Sequence, residues 1–438
     1  MMGARETALQ ALMACRKSGA WSNSVLKEYI VRDRLDSRDA GLATRLCYGV
    51  LQNRGKMDFY LQQLLTGKLK DLHPVLRDIL HMGLYQIYEM DKIPESAAVN
   101  ESVALAKKYC KNPKAASLAN GVLRNAIRSK GMLKEPISYA DKYSHPDALI
   151  SLLKASLPKG KLEPMLIANN ASPDTVVQVN TLRTTAEALT ALLEKEHVSV
   201  RPHGWMKDCL VLSGTGNLER LTAFQEGLFY VQDPAAKLSV LCAKLPQEDI
   251  RLLDCCSAPG GKSFAAAIAM NGKGRITSCD VHSHKVGLIE NGAARLGITN
   301  LTACRQDATV CVPDWVDAMD VVIADVPCSG LGIIRKKPDI RYKNLEELKA
   351  LPQLQLAILK NQASYVKKGG VLIYSTCTVL KQENEDIVSA FLEENQEFYL
   401  EPLDLPEVFP KNESGMLMLI PGEYDTDGFF ISRLRRKA

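Results

Sequence analysis

A chain of 438 residues has room for two or three domains and a sizeable core. Hydrophobic content of 46% and charged content of 24% are ordinary for a globular protein and exclude a low-complexity or fibrous chain. No apolar stretch approaches the length of a membrane span, and a net charge of +5 is too small to name a partner by itself.

Twelve cysteines would be a disulfide framework in a small secreted domain. Here they are scattered over a long chain, and Met1 to Gln10 carries Arg5 and Glu6 without the apolar core of a signal peptide. Reduced thiols and a cytoplasmic location are therefore expected. No two cysteines have Cys-x-x-Cys spacing and the seven histidines do not gather, so no metal site is expected.

Residues 1–135 read as an all-α bundle. Apolar pairs recur at helical intervals through Leu12-Met13, Leu46-Cys47, Val50-Leu51, Ile79-Leu80 and Leu84-Tyr85. Pro94 interrupts the pattern, a further helix begins near Ala97, and Ala116 to Ile127 gives the last. Lys107-Lys108, Lys111, Lys114, Arg124 and Arg128 can meet phosphates or simply form a solvated helix face. With no phosphate loop and no catalytic cluster, binding is the default role for this part. A polar linker runs from Lys130 to Pro146. Residues 145–231 read as a small α+β region, with a helix at Ala148 to Leu157 and another at Thr185 to Lys195. Its strands are expected near 175–179, 198–200, 210–212 and 228–231.

From Gln232 to the end at 438, strands alternate with helices, the signature of a doubly wound α/β sheet. Strands are predicted near 250–254, 275–279, 301–304, 321–324 and 371–375, and Phe429 to Leu434 reads as a late strand closing the sheet. Helices are predicted near 263–270, 284–296, 345–366 and 383–394. Ligands bind such sheets at the carboxyl ends of the strands. Three kinds of residue stand there. Cys256-Ser257-Ala258-Pro259-Gly260-Gly261-Lys262 is a turn in which glycine lets the backbone approach a ligand. It has neither the Walker spacing nor the Gly-x-Gly-x-x-Gly spacing. Asp280 ends the second strand, where a carboxylate can accept from both ribose hydroxyls, and Asp307 follows the third, where it can meet an adenine amino group. Both aspartates are equally suited to capping the helices that follow. Cys328, in Asp325-Val326-Pro327-Cys328-Ser329-Gly330, and Cys377, in Ser375-Thr376-Cys377-Thr378, end two more strands. A cysteine at a strand end is more often a buried small hydrophobe than a nucleophile. A nucleoside edge beside two thiols points instead to covalent chemistry on an electrophilic ring.

These motifs, with Gln232-Asp233-Pro234-Ala235-Ala236 and Glu383-Asn384, resemble the RNA cytosine-C5 methyltransferases of the Nol/Nop/Sun family over roughly residues 145 to 435. The helical front part resembles the RNA-binding NusB domain, and this pairing is the layout of family members acting on bacterial 16S rRNA. The resemblance implies an S-adenosylmethionine-dependent methyltransferase with a Rossmann-like sheet over 232–438, a NusB-like bundle over 1–135 and the α+β region between them. It implies S-adenosylmethionine held by Cys256 to Lys262, Asp280, Asp307 and Asp325, with Asp325 also at the base around N3 and the thiols of Cys255 and Cys256 structural. It implies Cys377 as nucleophile and Cys328 in product release; the residues alone do not choose between the two thiols. Its substrate would be cytosine 967 of 16S rRNA, met before small-subunit assembly by a monomer, with no metal and no membrane. Arg335 and Pro338-Asp339 would shape the RNA groove. Lys336 and Tyr342 depart from the family's usual arginine and tryptophan, which weakens bidentate phosphate contact there. The competing readings are an inactive RNA-binding regulator and a methyltransferase for another RNA.

Overall fold

The computed structural model describes residues 3–18 and 21–438. The chain packs as two compact units. One holds the chain up to Lys154 together with Leu166–Ala171 and Ile334–Lys343. The other holds Ala155–Met165, Ser172–Ile333 and Asn344–Ala438.

The first unit is helical, as the apolar spacing predicts. Helices α1 (Ala4–Ser18), α2 (Ser22–Arg32), α3 (Ser37–Leu64), α4 (Pro74–Glu89), α5 (Glu95–Tyr109) and α6 (Lys114–Arg128) bury one core. Their starts are written locally. Asp36 accepts the Asp39 N–H at 2.8 Å, and Pro74 fills the first turn of α4, where its missing N–H costs nothing. On α6, Ala119, Leu123 and Ala126 lie on one face and are wholly buried. The expected linker contains a short helix, α7 (Tyr139–Tyr143).

A segment from the far end of the sequence completes this unit. Within Ile334–Lys343, Pro338, Ile340 and Arg341 are buried. The Arg341 guanidinium donates to the Gln52 carbonyl and the Asn170 side-chain oxygen, both at 2.9 Å, and to the carbonyls of Ser144 and Asn169 at 3.3 Å. Burial pulls its pKa down to about 10; a guanidinium is kept there only because these oxygens replace water. The Tyr342 hydroxyl donates to the Leu51 carbonyl at 2.8 Å, and Ser22 donates to Asp339. This differs from the expected groove wall: Pro338 and Asp339 are packed among helices, because apolar Pro338 and Ile340 draw the segment inward.

Helices α8 (Asp147–Ser156) and α9 (Leu162–Asn170) carry the chain between units. In the second unit, β1 (Thr175–Val179), α10 (Ala186–Lys195), β2 (Ser199–Pro202), β3 (Cys209–Ser213), α11 (Thr222–Gln225) and β4 (Phe229–Val231) follow. Their strands form an antiparallel sheet in the order β2-β3-β1-β4, with Leu189 and Leu193 of α10 buried in the same core.

Next come α12 (Pro234–Leu241), β5 (Arg251–Asp254), α13 (Gly261–Ala269), β6 (Arg275–Asp280), α14 (Ser283–Leu296), β7 (Leu301–Arg305) and β8 (Met319–Asp325). They are followed by α15 (Leu345–Leu348), α16 (Leu351–Ala363), β9 (Val366–Thr376) and α17 (Glu385–Glu394). Strands β10 (Phe398–Leu400), β11 (Met416–Leu419) and β12 (Phe429–Arg436) end the chain. The eight-stranded sheet runs β10-β12-β9-β8-β5-β6-β7, with β11 also on β12. Strands β9, β8, β5, β6 and β7 are parallel and β12 is antiparallel. The helix expected over 345–366 is broken. Pro352 can only start a helix, so α16 begins there, and it stops at Ala363 before Lys367-Lys368-Gly369-Gly370. Among the described residues no helix is long and apolar enough to cross a membrane.

Candidate active site

The loop expected to bind a cofactor is the turn from β5 into α13. Gly260 has φ +107, and a Cβ there would lie 2.4 Å from the Phe264 ring, so only glycine turns the chain at this point. The Ser257 N–H donates to the Cys279 carbonyl at 2.8 Å and the Gly260 N–H to the Ser257 carbonyl at 2.7 Å, tying the loop to β6. Ala258 and Gly261 are half-buried and Pro259 is exposed. Cys255 is buried, Cys256 only partly, and their sulfurs lie 3.8 Å apart.

Asp280 is buried at the end of β6, and its Oδ1 accepts the His282 N–H at 3.0 Å. Asp307 is exposed after β7, and its Oδ1 accepts from the N–H and hydroxyl of Thr309 at 2.9 and 2.7 Å. These bonds hold its carboxyl below the usual range. Neither is a helix N-cap: α14 begins after His282, and the chain after Asp307 forms no α-helix before β8. The bland reading of both as caps therefore does not hold.

Strand register brings the reacting residues together. Asp325 of β8 lies opposite Ser375 of β9, and Cys328 and Cys377 follow these strand ends. The two sulfurs are 3.3 Å apart. The Lys262 ammonium reaches Asp325 Oδ2 at 2.6 Å and lies 5.1 Å from the centre of the Phe429 ring, while Ser375 Oγ donates to Asp325 Oδ1 at 2.8 Å. Burial by itself would lower the lysine pKa. Asp325, with Asp254 and Cys377 behind it, reverses this and holds Lys262 above its ordinary value. The hydrogen bond with Cys377 pushes the Cys328 thiol far up, aided by burial and by the charges of Cys377, Glu383 and Asp325. The two sulfurs thus share one hydrogen bond, in which either can be the donor.

The turn after Cys328 is locked to that after Cys377. The Gly332 N–H donates to the Cys377 carbonyl at 2.9 Å, and the Gly428 N–H to the Gly332 carbonyl at 2.8 Å. A Cβ on Gly332 would lie 2.1 Å from the Gly428 carbonyl oxygen. Sequence reasoning missed Gln355 and gave no role to Ser263, Ser375 and Thr378, which it noted only as parts of motifs. Ser375 was within reach, because pairing the two apolar runs at their ends sets it opposite Asp325. Glu383 was noted only as part of a motif.

Asp254, at the end of β5, is wholly buried, and its Oδ2 accepts from Ser263 Oγ at 2.7 Å. Burial raises its pKa from 3.8 to about 7. A raised carboxyl pKa means the folded state holds the proton more tightly than the unfolded chain. Stability from this group is full below pH 3.8 and is lost as pH rises toward 7. Asp254→Asn should therefore gain on the native protein as pH rises from 4 to 8, by up to about 4 kcal/mol. Denaturant unfolding at the two pH values checks this; a difference that does not change with pH would contradict it.

Among the described residues no group of three or more His, Cys, Asp or Glu side chains is placed to hold a metal ion. Residues 242–435 match the family described as 16S rRNA methyltransferase RsmB/F, residues 2–128 the NusB family, and residues 145–219 an RsmF/B-like ferredoxin-like domain. A probable ribosomal RNA small subunit methyltransferase B of Bacillus subtilis is 36% identical, covering 99% of this chain and 98% of its own. Ribosomal RNA small subunit methyltransferase B of Vibrio cholerae is 33% identical, covering 93% of this chain and 92% of its own. The crystal structure of PH0851 superposes with a TM-score of 0.82 at 24% identity, covering 99% and 98% of the two chains, and so shares the fold. With full-length likeness at this level and a NusB-type bundle ahead of the two-thiol sheet, the chain belongs to the RsmB/F family of 16S rRNA methyltransferases.

Proposed function

We propose that the protein methylates carbon 5 of a cytosine in 16S rRNA, by resemblance cytosine 967, through a covalent bond between Cys377 and the base. The observation that carries the reading is the pair of sulfurs 3.3 Å apart at the ends of adjacent parallel strands, beside the glycine turn. S-Adenosylmethionine, when bound, supplies an electrophilic methyl group. The residues present fit it: the positive φ of Gly260 turns the chain sharply into α13, whose start offers N–H groups to its carboxylate. Asp280 suits the ribose hydroxyls and Asp307 the adenine amino group.

The chain's own chemistry follows from its charges. The Cys377 thiolate adds to carbon 6, the C5–C6 double bond shifts, and carbon 5 becomes electron-rich. Asp325 would bind the base around N3, and its contact with the Lys262 ammonium supports a role for that lysine in offsetting the negative charge that builds in the ring. After carbon 5 gains its methyl group, Cys328 removes the remaining proton there, and the electrons of that C–H bond expel Cys377 from carbon 6. Cys328 is prepared for this by the loss of its neighbour's charge: once Cys377 is bonded to carbon, the Cys328 thiol releases its own proton to water, and the thiolate so formed takes the carbon 5 proton. Attack on carbon 6 needs the base out of its stack, so a loop or distorted helix of unassembled rRNA is the target.

The test is transfer of labelled methyl groups to protein-free 16S rRNA and to assembled small subunits, with modified positions mapped by bisulfite sequencing. One protected cytosine, formed on free rRNA by the monomeric protein, is expected. No transfer would favour the RNA-binding regulator, and a protected site in another RNA would defeat the substrate assignment.

A further inference from the structure

We propose that Glu383 is a positioning residue of the two-thiol reaction, holding Cys328 and Cys377 in register through the residue that follows each of them. The inference rests on the covalent reading above. Glu383 Oε2 accepts the Ser329 N–H at 2.8 Å and Gln355 Nε2 at 2.9 Å. Gln355, on α16, also donates to the Pro327 carbonyl at 2.9 Å, so the chain is gripped on both sides of Cys328. Toward the other thiol, the hydroxyls of Ser329 and Thr378 lie 2.7 Å apart, and Thr378 donates to Glu383 Oε1 at 3.5 Å. The backbone of the same residue is fixed as well. Its carbonyl accepts the Tyr374 hydroxyl at 2.6 Å, and its neighbour Asn384 bonds Thr376 Oγ1 at 2.6 Å and the Thr378 carbonyl at 3.1 Å.

Ser329, Tyr374, Thr376, Thr378, Glu383 and Asn384 are all wholly buried. An acidic side chain is the costliest choice for such a place, and a glutamine of the same shape would satisfy part of the network. The charge itself therefore has a use. Cys328 faces Cys377, Glu383, Asp325 and Tyr374, with Lys262 on the other side of Asp325. While Cys377 is a thiolate, these charges keep the proton on Cys328 and leave Cys377 free to attack. After the adduct forms, Glu383 and Asp325 make the Cys328 thiolate a stronger base for the carbon 5 proton.

Glu383→Gln in the full-length protein separates this role from simple packing. With 16S rRNA and S-adenosylmethionine, kcat should fall roughly 10- to 100-fold while the KM for S-adenosylmethionine stays within about twofold, and protein–RNA adduct should accumulate. In the protein without RNA, the pH midpoint for alkylation of Cys328 by iodoacetamide, read by mass spectrometry, should move down by about one unit. Gln355→Leu loosens the same loop but keeps the charge, and should lower kcat several-fold without moving that midpoint downward. An unchanged midpoint in Glu383→Gln, or a midpoint lowered equally in Gln355→Leu, would overturn the proposal. The alkylation arm needs no RNA, so it decides the role of Glu383 even if the rRNA assignment fails. If Glu383→Gln does not fold, Thr378→Val and Gln355→Leu should still lose kcat with adduct build-up, and normal turnover in both would overturn it.

Discussion

Cys377→Ser should lower methyl transfer on the order of 10^4-fold or more and leave no covalent protein–RNA species. The substitution changes one atom at the end of β9 and keeps a polar group beside Cys328. What is lost is a thiolate. A serine hydroxyl ionises far above the pH of the reaction, so almost none of it is present as the anion that attacks carbon 6. The Lys262 ammonium, held up by Asp325, favours an anion at residue 377 but cannot deprotonate a hydroxyl. Binding of S-adenosylmethionine should be unaffected, because the residues expected to hold it, Cys256 to Lys262, Asp280, Asp307 and Asp325, lie on β5, β6, β7 and β8 and the turns after them, and none is changed. Single-turnover transfer with labelled donor, together with a denaturing gel for the adduct, checks both halves. Transfer at undiminished rate would remove Cys377 from the chemistry.

The doubly wound sheet was legible because its central strands are continuous apolar runs, each ending in a chemically distinctive residue: Asp254, Asp280, Asp325 and then Cys377 after Thr376. The same alternation, in the sequence alone, sets Cys328 and Cys377 at one edge of the sheet. The helical front part was legible from spacing alone, since its apolar positions repeat with the helix period and its starts carry Asp36 and Pro74. Two features were not. The packing of Ile334–Lys343 among the helices depends on Arg341 finding oxygens of Gln52, Ser144, Asn169 and Asn170, partners about 170 to 290 residues away in sequence. No local pattern records such pairing, and read locally the segment looks like a basic loop. Glu383 is similar: the sequence shows it only as part of the Glu383-Asn384 motif at the expected start of a helix. Only the fold shows that it lies under both thiols. The choice between the thiols was not legible in the residues themselves: it came from the family resemblance, and the position of Cys328 beside Glu383 and Asp325 and of Cys377 toward Lys262 is in keeping with it.

Cys328→Ala is expected to do the opposite of Cys377→Ser: RNA should be captured and methylated but not released. Addition at carbon 6 uses Cys377, and carbon 5 can still accept its methyl group, so the first half of the reaction survives. Elimination then requires removal of the carbon 5 proton, and the group proposed to take it, 3.3 Å from Cys377, has been cut back to a methyl. A missing general base slows a step by about 10^2- to 10^4-fold, long enough for the adduct to outlast denaturation and electrophoresis. Turnover should fall by that factor while one methyl group per protein is still transferred in the first pass. Alanine also removes the hydrogen bond to Cys377 Sγ, which leaves that thiolate less stabilised and more reactive, so the first pass should be no slower than in the native protein. The double variant Cys328→Ala with Cys377→Ala should form no adduct at all, which ties the trapped species to the second sulfur. If Cys328→Ala turned over normally, the proton at carbon 5 would leave by another route. The 3.3 Å between the two sulfurs would then be a packing contact and not a division of labour.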